Sequence, residues 1–311
     1  MRQSEDEIIF IKLLENIRQH KDGEPLDPEV EKELKKRFCP GKVDDLLEAI
    51  DFFVGGDNPN GMVITFSNQH AQMYNMLKLD KRNEIYNCKK IKIDAQFFVR
   101  QQNSYVGNPN DGIEDAIRRQ LSITDIRAAT KSEIWILCGA MKKREYNSII
   151  PFQLIISNGA RVMLLQNLNV ERHLINGSRG YVYRYDEQLD VLFIRFDTQD
   201  SNENPVMVTR TKSTEYQINN GKIIFMYQFP VKLSWAVTAH KSQGQTLEKC
   251  AIDIGEKAIA HGSLYVALSR VKSLNNVMLF GLYKWPDGGP TFHINPYIQT
   301  KQNEQAEKEF E

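Results

Sequence analysis

The sequence feature that most constrains the fold is an apolar run that passes directly into a capped helix. Residues 61–66 read Gly-Met-Val-Ile-Thr-Phe, a run with the length and composition of a buried strand. Ser67 or Asn68 then supplies a helix N-cap, and the pattern predicts a helix through Leu77. Because a strand followed by a capped helix is the unit of α/β proteins, the chain is predicted to contain a parallel sheet with flanking helices.

Further α/β patterns lie on both sides of this unit. Ser4 and Glu7 form a capping-box pattern, Asp27 marks the start of a second helix, and a third helix is predicted over 43–53. After Pro230 the pattern predicts, in order, helix 233–243, strand 250–254, helix 262–271 and strand 277–282.

The middle of the chain has a different character. Two runs rich in apolar and aromatic residues, 181–185 and 191–196, flank a polar turn at Asp186-Glu187-Gln188, which predicts a hairpin. Further short strands are predicted over 206–210 and 223–227, and several short strands separated by turns are typical of a small barrel. Residues 91–97 suggest one more strand.

These patterns predict an α/β domain interrupted by a small β module. Residues 101–130 have no clean period, and we interpret them as irregular with one helix over 113–121. The predicted division is a first α/β segment (1–175), a small β-barrel (176–228), a second α/β segment (229–290) and a polar tail (291–311).

Composition limits the class of protein only loosely. Lys plus Arg is 40 and Asp plus Glu is 40, so the chain lacks the global positive charge of many nucleic-acid binders, although a few local donors can hold a strand. The four cysteines are far apart and form no C-x-x-C pair, which favours reduced core thiols and no metal site. No apolar run suits a membrane span, and the acidic start of the chain is unlike a signal peptide, so an intracellular protein without membrane contact is expected.

The stretch 233–247 carries the densest set of polar donors. Thr238, Lys241 and Ser242 can reach a phosphate, and Gly244 allows close approach of backbone to a ligand. By composition alone, a polar helix end followed by a turn is an equally good interpretation.

The stretch 262–271 ends in a single arginine behind an apolar helix. Arg270 could extend its planar, permanently charged guanidinium toward a phosphate held by a neighbouring domain. Taken in isolation, the more frequent case is a surface arginine or one paired with a local carboxylate.

The order and spacing of the two stretches resemble a known family. Thr-Ala-His-Lys-Ser-Gln-Gly-Gln-Thr, followed 19 residues after Thr246 by Tyr-Val-Ala-Leu-Ser-Arg, resembles the fifth and sixth motifs of Pif-type, RecD-like superfamily-one DNA helicases. Further similar segments lie at the fourth motif (Arg2-Gln3 and Ile17-Arg18), at the start of the second motor domain (65–68 and Asn75) and before the accessory barrel (159–168 and 176–180). The resemblance covers roughly residues 2 to 285, and it is loose over 80–150.

The resemblance implies a second RecA-like motor domain interrupted by a small Src-homology-3-like barrel, with its site residues at matching positions. The implied γ-phosphate arginines are Arg270 and, at the fourth motif, Arg2. The implied nucleotide-proximal residues are Gln243 and Gly244. The residues implied to contact the phosphates of single-stranded DNA, or to couple strand to nucleotide, are Thr238, His240, Lys241 and Ser242.

The sequence departs from the family pattern in one large respect. It contains no G-x-x-x-x-G-K-[ST] phosphate loop, and no apolar strand ends in an Asp-Glu pair suited to magnesium. We therefore expect ATP and Mg²⁺ to belong to a complete helicase and not to this chain alone, and we expect a missing N-terminal RecA-like domain as partner. Either a truncated gene model or a degenerate, transposon-derived copy would explain the absence.

Three functions follow as hypotheses. The first is a fragment of an ATP-dependent helicase of the repair, recombination or telomere-maintenance class, with 5′-to-3′ polarity implied by resemblance and a nuclear or mitochondrial location. The second is an autonomous single-strand-binding module without ATPase activity, in which Trp235 or Tyr265 would stack on bases. The third is a protein-interaction module, which no sequence feature favours directly.

Overall fold

The computed structural model describes nine segments of the chain: 5–19, 27–39, 43–54, 60–101, 127–135, 151–200, 202–218, 222–254 and 262–281. The chain divides into two compact units. The first comprises Met1–Lys81 with Leu233–Glu311, and the second comprises Arg82–Lys232. The predicted helix over 113–121 and the predicted tail over 291–311 lie outside the described residues.

Helices and strands are numbered in chain order. The helices are α1 (Glu5–Gln19), α2 (Pro28–Lys35), α3 (Val43–Val54), α4 (Asn68–Tyr86), α5 (Ala239–Ser242) and α6 (Ser263–Leu268). The strands are β1 (Gly61–Thr65), β2 (Ile91–Asp94), β3 (Gln96–Gln101), β4 (Arg127–Ala128), β5 (Gln153–Ile156), β6 (Arg161–Leu164), β7 (Arg179–Asp186), β8 (Val191–Phe196), β9 (Val206–Val208), β10 (Thr211–Ile218), β11 (Lys222–Gln228), β12 (Val231–Leu233), β13 (Ala236–Thr238), β14 (Lys249–Asp253) and β15 (Val277–Phe280). None of these helices is both long and apolar enough to cross a bilayer.

The first unit is built on a parallel sheet. Its strand order is β13-β1-β14-β15, and each neighbouring pair is parallel. Every residue of β1 and β13 is buried, as the apolar runs require in a sheet covered on both faces. The α/β fold with a parallel sheet and flanking helices is therefore confirmed.

The helices of this unit begin and bury residues as their sequences predict. In α2, the Asp27 side chain accepts a hydrogen bond from the backbone N–H of Glu29 at 2.8 Å, and Pro28 occupies the first turn. Phe10, Leu13 and Ile17 of α1 are buried at helical spacing. The side chains of the capping-box pair, Ser4 and Glu7, lie outside the described residues.

The predicted helix over 233–243 is wrong for most of its length. The chain instead forms the buried strand β13 over Ala236–Thr238, and only the four residues of α5 are helical. A short apolar run cannot be assigned to helix or strand from periodicity alone, and here pairing with β1 decides the outcome.

The second unit is antiparallel wherever its strand pairing is described. One sheet has the order β10-β11-β3-β4, a second has the order β12-β6-β7-β8-β9, and β2 pairs with β5. The hairpin predicted within 180–196 is formed by β7 and β8. The predicted strand over 91–97 is two strands, because the chain leaves β2 at Ala95 and pairs β3 with β11. The Src-homology-3-like character of 176–228 stays a prediction.

The cysteines are only partly in the core. Cys250 of β14 is buried, and burial raises the pKa of its thiol to about 12, which keeps it protonated and unreactive. Cys39 and Cys88 are half-buried, so the predicted core location holds for Cys250 alone among these three. Cys138 lies outside the described residues.

Candidate functional site

The candidate site lies at the carboxyl edge of the parallel sheet. In the register of β1 and β13, Thr65 lies beside Thr238, the last residue of its strand. The next strand, β14, ends at Asp253, which pairs with Phe280 of β15. In open α/β sheets this edge is where ligands bind, because loops and helix N-termini converge there.

The helix α5 turns the chain sharply away from β13. Thr238 is its N-cap, but its hydroxyl makes no capping hydrogen bond, and the residue is 8% exposed. His240 and Lys241 are exposed on this single turn. The Ser242 hydroxyl is fully buried and donates to the Ala239 carbonyl at 2.8 Å, so in this structure it holds the turn and does not face solvent.

The loop after α5 depends on a glycine. Gly244 has φ +82°, a conformation that side chains with a Cβ rarely adopt. A Cβ built at this position would meet no heavy atom within 4 Å, so the space next to the backbone is open. Gln243, immediately before it, is exposed. The local geometry allows the approach of a ligand to this backbone that the sequence predicted.

Arg270 is held in place by its own helix end. Its Nε donates to the Val266 carbonyl at 2.7 Å, and its Nη2 donates to the Ser269 hydroxyl at 2.6 Å. The Ser269 hydroxyl in turn donates to the Val266 carbonyl at 3.0 Å. Within the part of the chain that the structure describes, Nη1 makes no hydrogen bond.

The structure brings the two sequence motifs together. The backbone N–H of Leu247, after α5, donates to the Arg270 carbonyl at 2.8 Å. Helix α6 contacts both α5 and α1. Thr238, His240, Lys241, Ser242, Gln243, Gly244 and Arg270 therefore belong to one substructure of the first unit. Arg2 lies outside the described residues.

The aromatic residues proposed for stacking have different environments. Trp235 is 5% exposed and belongs to the core of the first unit. Tyr265 is half-buried on α6. Of the two, only Tyr265 retains surface to offer a base.

Sequence reasoning missed a buried contact between a histidine and a carboxylate at the same sheet edge. His70, in the first turn of α4, places Nδ1 3.0 Å from Oδ2 of Asp253, and both residues are buried. The two residues are 183 positions apart, so no local pattern links them. The available signal was a carboxylate at the end of the apolar run that forms β14.

A second contact that sequence reasoning missed fixes the strand that leads into the site. The Asn75 side chain donates to the Ala236 carbonyl at 2.8 Å and accepts from the Ala236 N–H at 2.8 Å. Since β13 lies at the edge of the sheet formed by the described residues, the amide of Asn75 occupies the hydrogen-bonding positions that another strand could fill. The family resemblance pointed to Asn75, but not to this contact.

Comparison with known proteins supports the resemblance. Residues 146–185 match the family described as DNA helicase Pif1, 2B domain. The human ATP-dependent DNA helicase PIF1 is 38% identical over 123 residues, which is 38% of this chain and 18% of the relative. The Pif1 helicase of Bdellovibrio bacteriovorus is 34% identical over 134 residues, covering 43% of this chain and 29% of the relative.

Solved structures show the same fold over nearly the whole chain. Bacteroides Pif1 bound to single-stranded DNA superposes with a TM-score of 0.56 at 20% identity, covering 99% of this chain and 55% of that one. Pif1 helicase from Candida albicans gives 0.57 at 19% identity, covering 96% and 58%. The chain thus spans little more than half the length of these helicases. It is similar to the C-terminal region of Pif-type DNA helicases, in sequence over part of its length and in fold over nearly all of it.

Proposed function

We propose that this chain acts as the second motor domain of an ATP-dependent DNA helicase. In this function it directs an arginine at the γ-phosphate of ATP and holds the phosphates of single-stranded DNA. The observation that carries the proposal is Arg270, whose guanidinium is fixed by two hydrogen bonds while Nη1 makes none within the described segments. The unwinding polarity, 5′ to 3′, and a role in genome maintenance in the nucleus or mitochondrion belong to the same proposal.

The main contribution that phosphoryl transfer would require of this chain is a positive charge placed at the γ-phosphate. In phosphoryl transfer an arginine stabilises negative charge that spreads over the γ-phosphate oxygens, a contribution of roughly a thousandfold or more in rate. Arg270 suits this task because its hydrogen bonds to the Val266 carbonyl and the Ser269 hydroxyl already restrict its side chain. A mobile surface arginine would lose that rotational freedom only on binding. Arg2 is proposed as a second arginine of the same kind.

The phosphate loop would come from another domain. These 311 residues contain no phosphate-loop pattern. ATP and Mg²⁺ would therefore be held mainly by a RecA-like partner domain. This chain would contribute Arg270 and the backbone near Gln243 and Gly244.

The strand contacts would come from the exposed turn. Lys241 and His240 are exposed on α5 and can meet a phosphate directly, and Thr238 lies at the strand end just before them. We assign Ser242 a positioning role, because its buried hydroxyl closes the turn. The predicted barrel over 176–228 would help to hold the same strand.

A second candidate is a single-strand-binding module without ATPase activity. Its support is that Lys241 and His240 are exposed on α5, whereas the sequence lacks a phosphate loop. This alternative requires strand binding that does not depend on Arg270.

The test is ATP turnover with saturating single-stranded DNA. The purified chain is assayed alone and then with a separately produced phosphate-loop half of a close relative. We expect turnover only after mixing, and a loss of about a thousandfold with Arg270→Ala. Arg172→Ala, which removes an exposed arginine of the second unit, is the matched control.

The outcomes separate the two candidates. Turnover by the mixture that survives Arg270→Ala would overturn the proposed role of this arginine. No turnover in any mixture, together with salt-sensitive strand binding that Arg270→Ala leaves unchanged, would favour the binding module.

A further inference from the structure

We propose a separate strand-binding surface in the second unit, at the C-terminal end of α4. It is formed by Arg82, Tyr86, Lys89, Lys90 and Lys92, and we name these five residues the α4-end surface. Its ligand would be single-stranded nucleic acid, held by its phosphates and by one stacked base. The inference rests on the proposed function, because the same class of ligand is bound in both.

Two large apolar side chains are exposed where α4 ends. Ile85 is 66% exposed and Tyr86 is 60% exposed. The guanidinium carbon of Arg82 lies 4.7 Å from the centroid of the Tyr86 ring, and Arg82 Nη1 donates to the Asn158 carbonyl at 2.9 Å. The ring is therefore oriented by a cation that is itself anchored, and much of the ring surface remains open to a ligand.

The backbone fixes this end of the helix. Asn87 adopts φ +48°, and the Cys88 N–H donates to the Asn83 carbonyl at 3.0 Å, a left-handed termination of the helix. The chain then enters β2, where Lys92 pairs with Ile155 and the following Ile93 is buried. Because successive strand residues point to opposite faces, Lys92 lies on the outer face.

The surface has a charge that the whole chain lacks. Residues 82–92 contain four cations and one carboxylate, Glu84, which gives 4 − 1 = +3, whereas the complete chain has 40 cations and 40 carboxylates. Lys89, Lys90 and Lys92 are all exposed. A helix C-terminus favours one nearby cation, but its field falls off within a turn and does not account for Lys92 on the next strand.

The combination of groups selects the ligand. Aromatic rings interleaved with cations bind single strands, because bases stack on the rings while phosphates meet the cations. A duplex keeps its base faces stacked inside and would leave Tyr86 unused. An acidic peptide would satisfy the lysines but would offer no planar group for the exposed ring.

The experiment measures binding of a fluorescent oligothymidylate of about 20 nucleotides by anisotropy over a salt series. The triple variant K89Q/K90Q/K92Q is compared with K32Q/K35Q/K131Q, which removes the same charge from three other exposed lysines. Each phosphate contact contributes about 0.7 to the slope of log K against log salt for single strands, so the first variant should lower the slope by about 2. The control should leave it unchanged.

Two single substitutions test the stacking. Tyr86→Leu removes the aromatic ring and should weaken binding by about 5- to 150-fold, whereas Tyr86→Phe should retain it. Circular dichroism of each variant checks that the second unit remains folded. A slope that falls equally in both triple variants, or binding that is indifferent to Tyr86→Leu, would overturn the α4-end surface.

A further variant distinguishes this failure from failure of the proposed function. If Lys241→Gln weakens binding while the α4-end variants do not, the α5 contact stands and the second surface is rejected. If polyglutamate displaces the oligonucleotide as effectively as unlabelled strand does, the surface is a general anion site and the inference is also rejected.

Discussion

The charged groups of the two units are used in different ways. In the second unit the buried charges satisfy one another: Arg161 donates to both carboxylate oxygens of Asp197, and Arg210 does the same with Asp190. In the first unit Arg270 is fixed by a carbonyl and a hydroxyl, and it faces no carboxylate within the described residues. A cation that is held rigidly but not neutralised is suited to an external anion, and a neutralised cation is suited to holding strands together.

The sharpest test of this comparison is removal of the Asp197 carboxylate. Arg161 is 3% exposed, and burial with the nearby Arg161 charge lowers the pKa of Arg179 to about 10. Asp197→Ala would leave the buried Arg161 without its carboxylate and remove an opposite charge near Arg179, which should cost about 3–5 kcal/mol in the free energy of unfolding. Urea unfolding of the variant measures this cost.

Arg161→Met is the matched comparison for that prediction. It removes one of two like charges and fills the space with apolar atoms, and Asp197 retains Arg179 nearby. Its cost should be clearly smaller than that of Asp197→Ala. Equal costs would mean that packing around Arg161 stabilises this part of the unit, and not the neutralisation of Arg161 and Arg179 by Asp197.

In the first unit an uncharged side chain, Asn75, holds a strand in place. Asn75 pairs with both backbone groups of Ala236, and it is 6% exposed. Asn75→Ala would leave two buried backbone groups without partners, which should destabilise the unit by about 2–4 kcal/mol. Hydrogen exchange at the Ala236 amide, measured by NMR, should rise more than exchange at the neighbouring β1 amides.

Asn75→Asp separates the two hydrogen bonds. A carboxylate can still accept from the Ala236 N–H, but it cannot donate to the carbonyl and buries negative charge beside that oxygen, so the loss should exceed that of the one bond to the carbonyl. If Asn75→Asp is as stable as the native chain, the bond to the carbonyl contributes nothing and β13 is held by its pairing with β1.

Two glycines provide a smaller contrast between the units. Gly159 of the second unit has φ +77°, and a Cβ there would lie 2.1 Å from Nη2 of Arg82. Gly244 of the first unit has φ +82° with open space around it. We expect Gly244→Ala to cost about 1–2 kcal/mol from backbone strain alone. Gly159→Ala should cost more, because the anchored Arg82 must also move.

Thermal unfolding of both glycine variants measures the difference, and the binding assay gives a second readout. Gly159→Ala should also weaken the oligonucleotide binding assigned to the α4-end surface, because displacing Arg82 releases the Tyr86 ring. A Gly159→Ala variant that unfolds like Gly244→Ala would show that Arg82 rearranges freely.

The sequence predicted those parts of the fold in which local pattern and tertiary environment agree. The β1–α4 unit and the strands β14 and β15 were identified because continuous apolar runs of strand length suit a sheet buried on both faces. Strand β10 was missed because Thr-Lys-Ser-Thr-Glu-Tyr-Gln-Ile has no apolar alternation, and its pairing with β11 forms it. The helix predicted over 233–243 failed for the related reason that β1 recruits three of its residues.

The candidate site was predictable in composition but not in geometry. The family motifs identified Arg270 and the residues around Lys241, yet neither spacing nor composition could indicate that Ser242 is buried or that Nη1 of Arg270 lacks a partner among the described residues. The pairing of His70 with Asp253 depends on the order of β1 and β14 in the sheet. Such contacts follow from topology, which a single sequence specifies only after the strands have been arranged.

The smallest expected effect concerns the pH dependence of the second unit. The hydrogen bond from Arg210, helped by those from Tyr185 and Gln96, holds the pKa of Asp190 below its usual value of 3.8 against the opposing effect of burial. A lowered folded-state pKa adds stability that is present above the unfolded value and is lost as pH falls through the folded value. The carboxylate is 34% exposed, so solvent screening should keep this contribution below about 1 kcal/mol.

Asp190→Asn tests this effect with little change of shape, since asparagine tolerates the φ of +49° found at this position. The free energy of unfolding, measured by urea denaturation, falls between about pH 4 and pH 2, and we call this fall the acid limb. It should be shallower in the variant than in the native chain. Arg270→Ala, which removes a cation that faces no described carboxylate, should leave the same acid limb unchanged. If Arg270→Ala flattened the acid limb as Asp190→Asn does, Arg270 would be neutralised within the protein, and the distinction between the two units would fail.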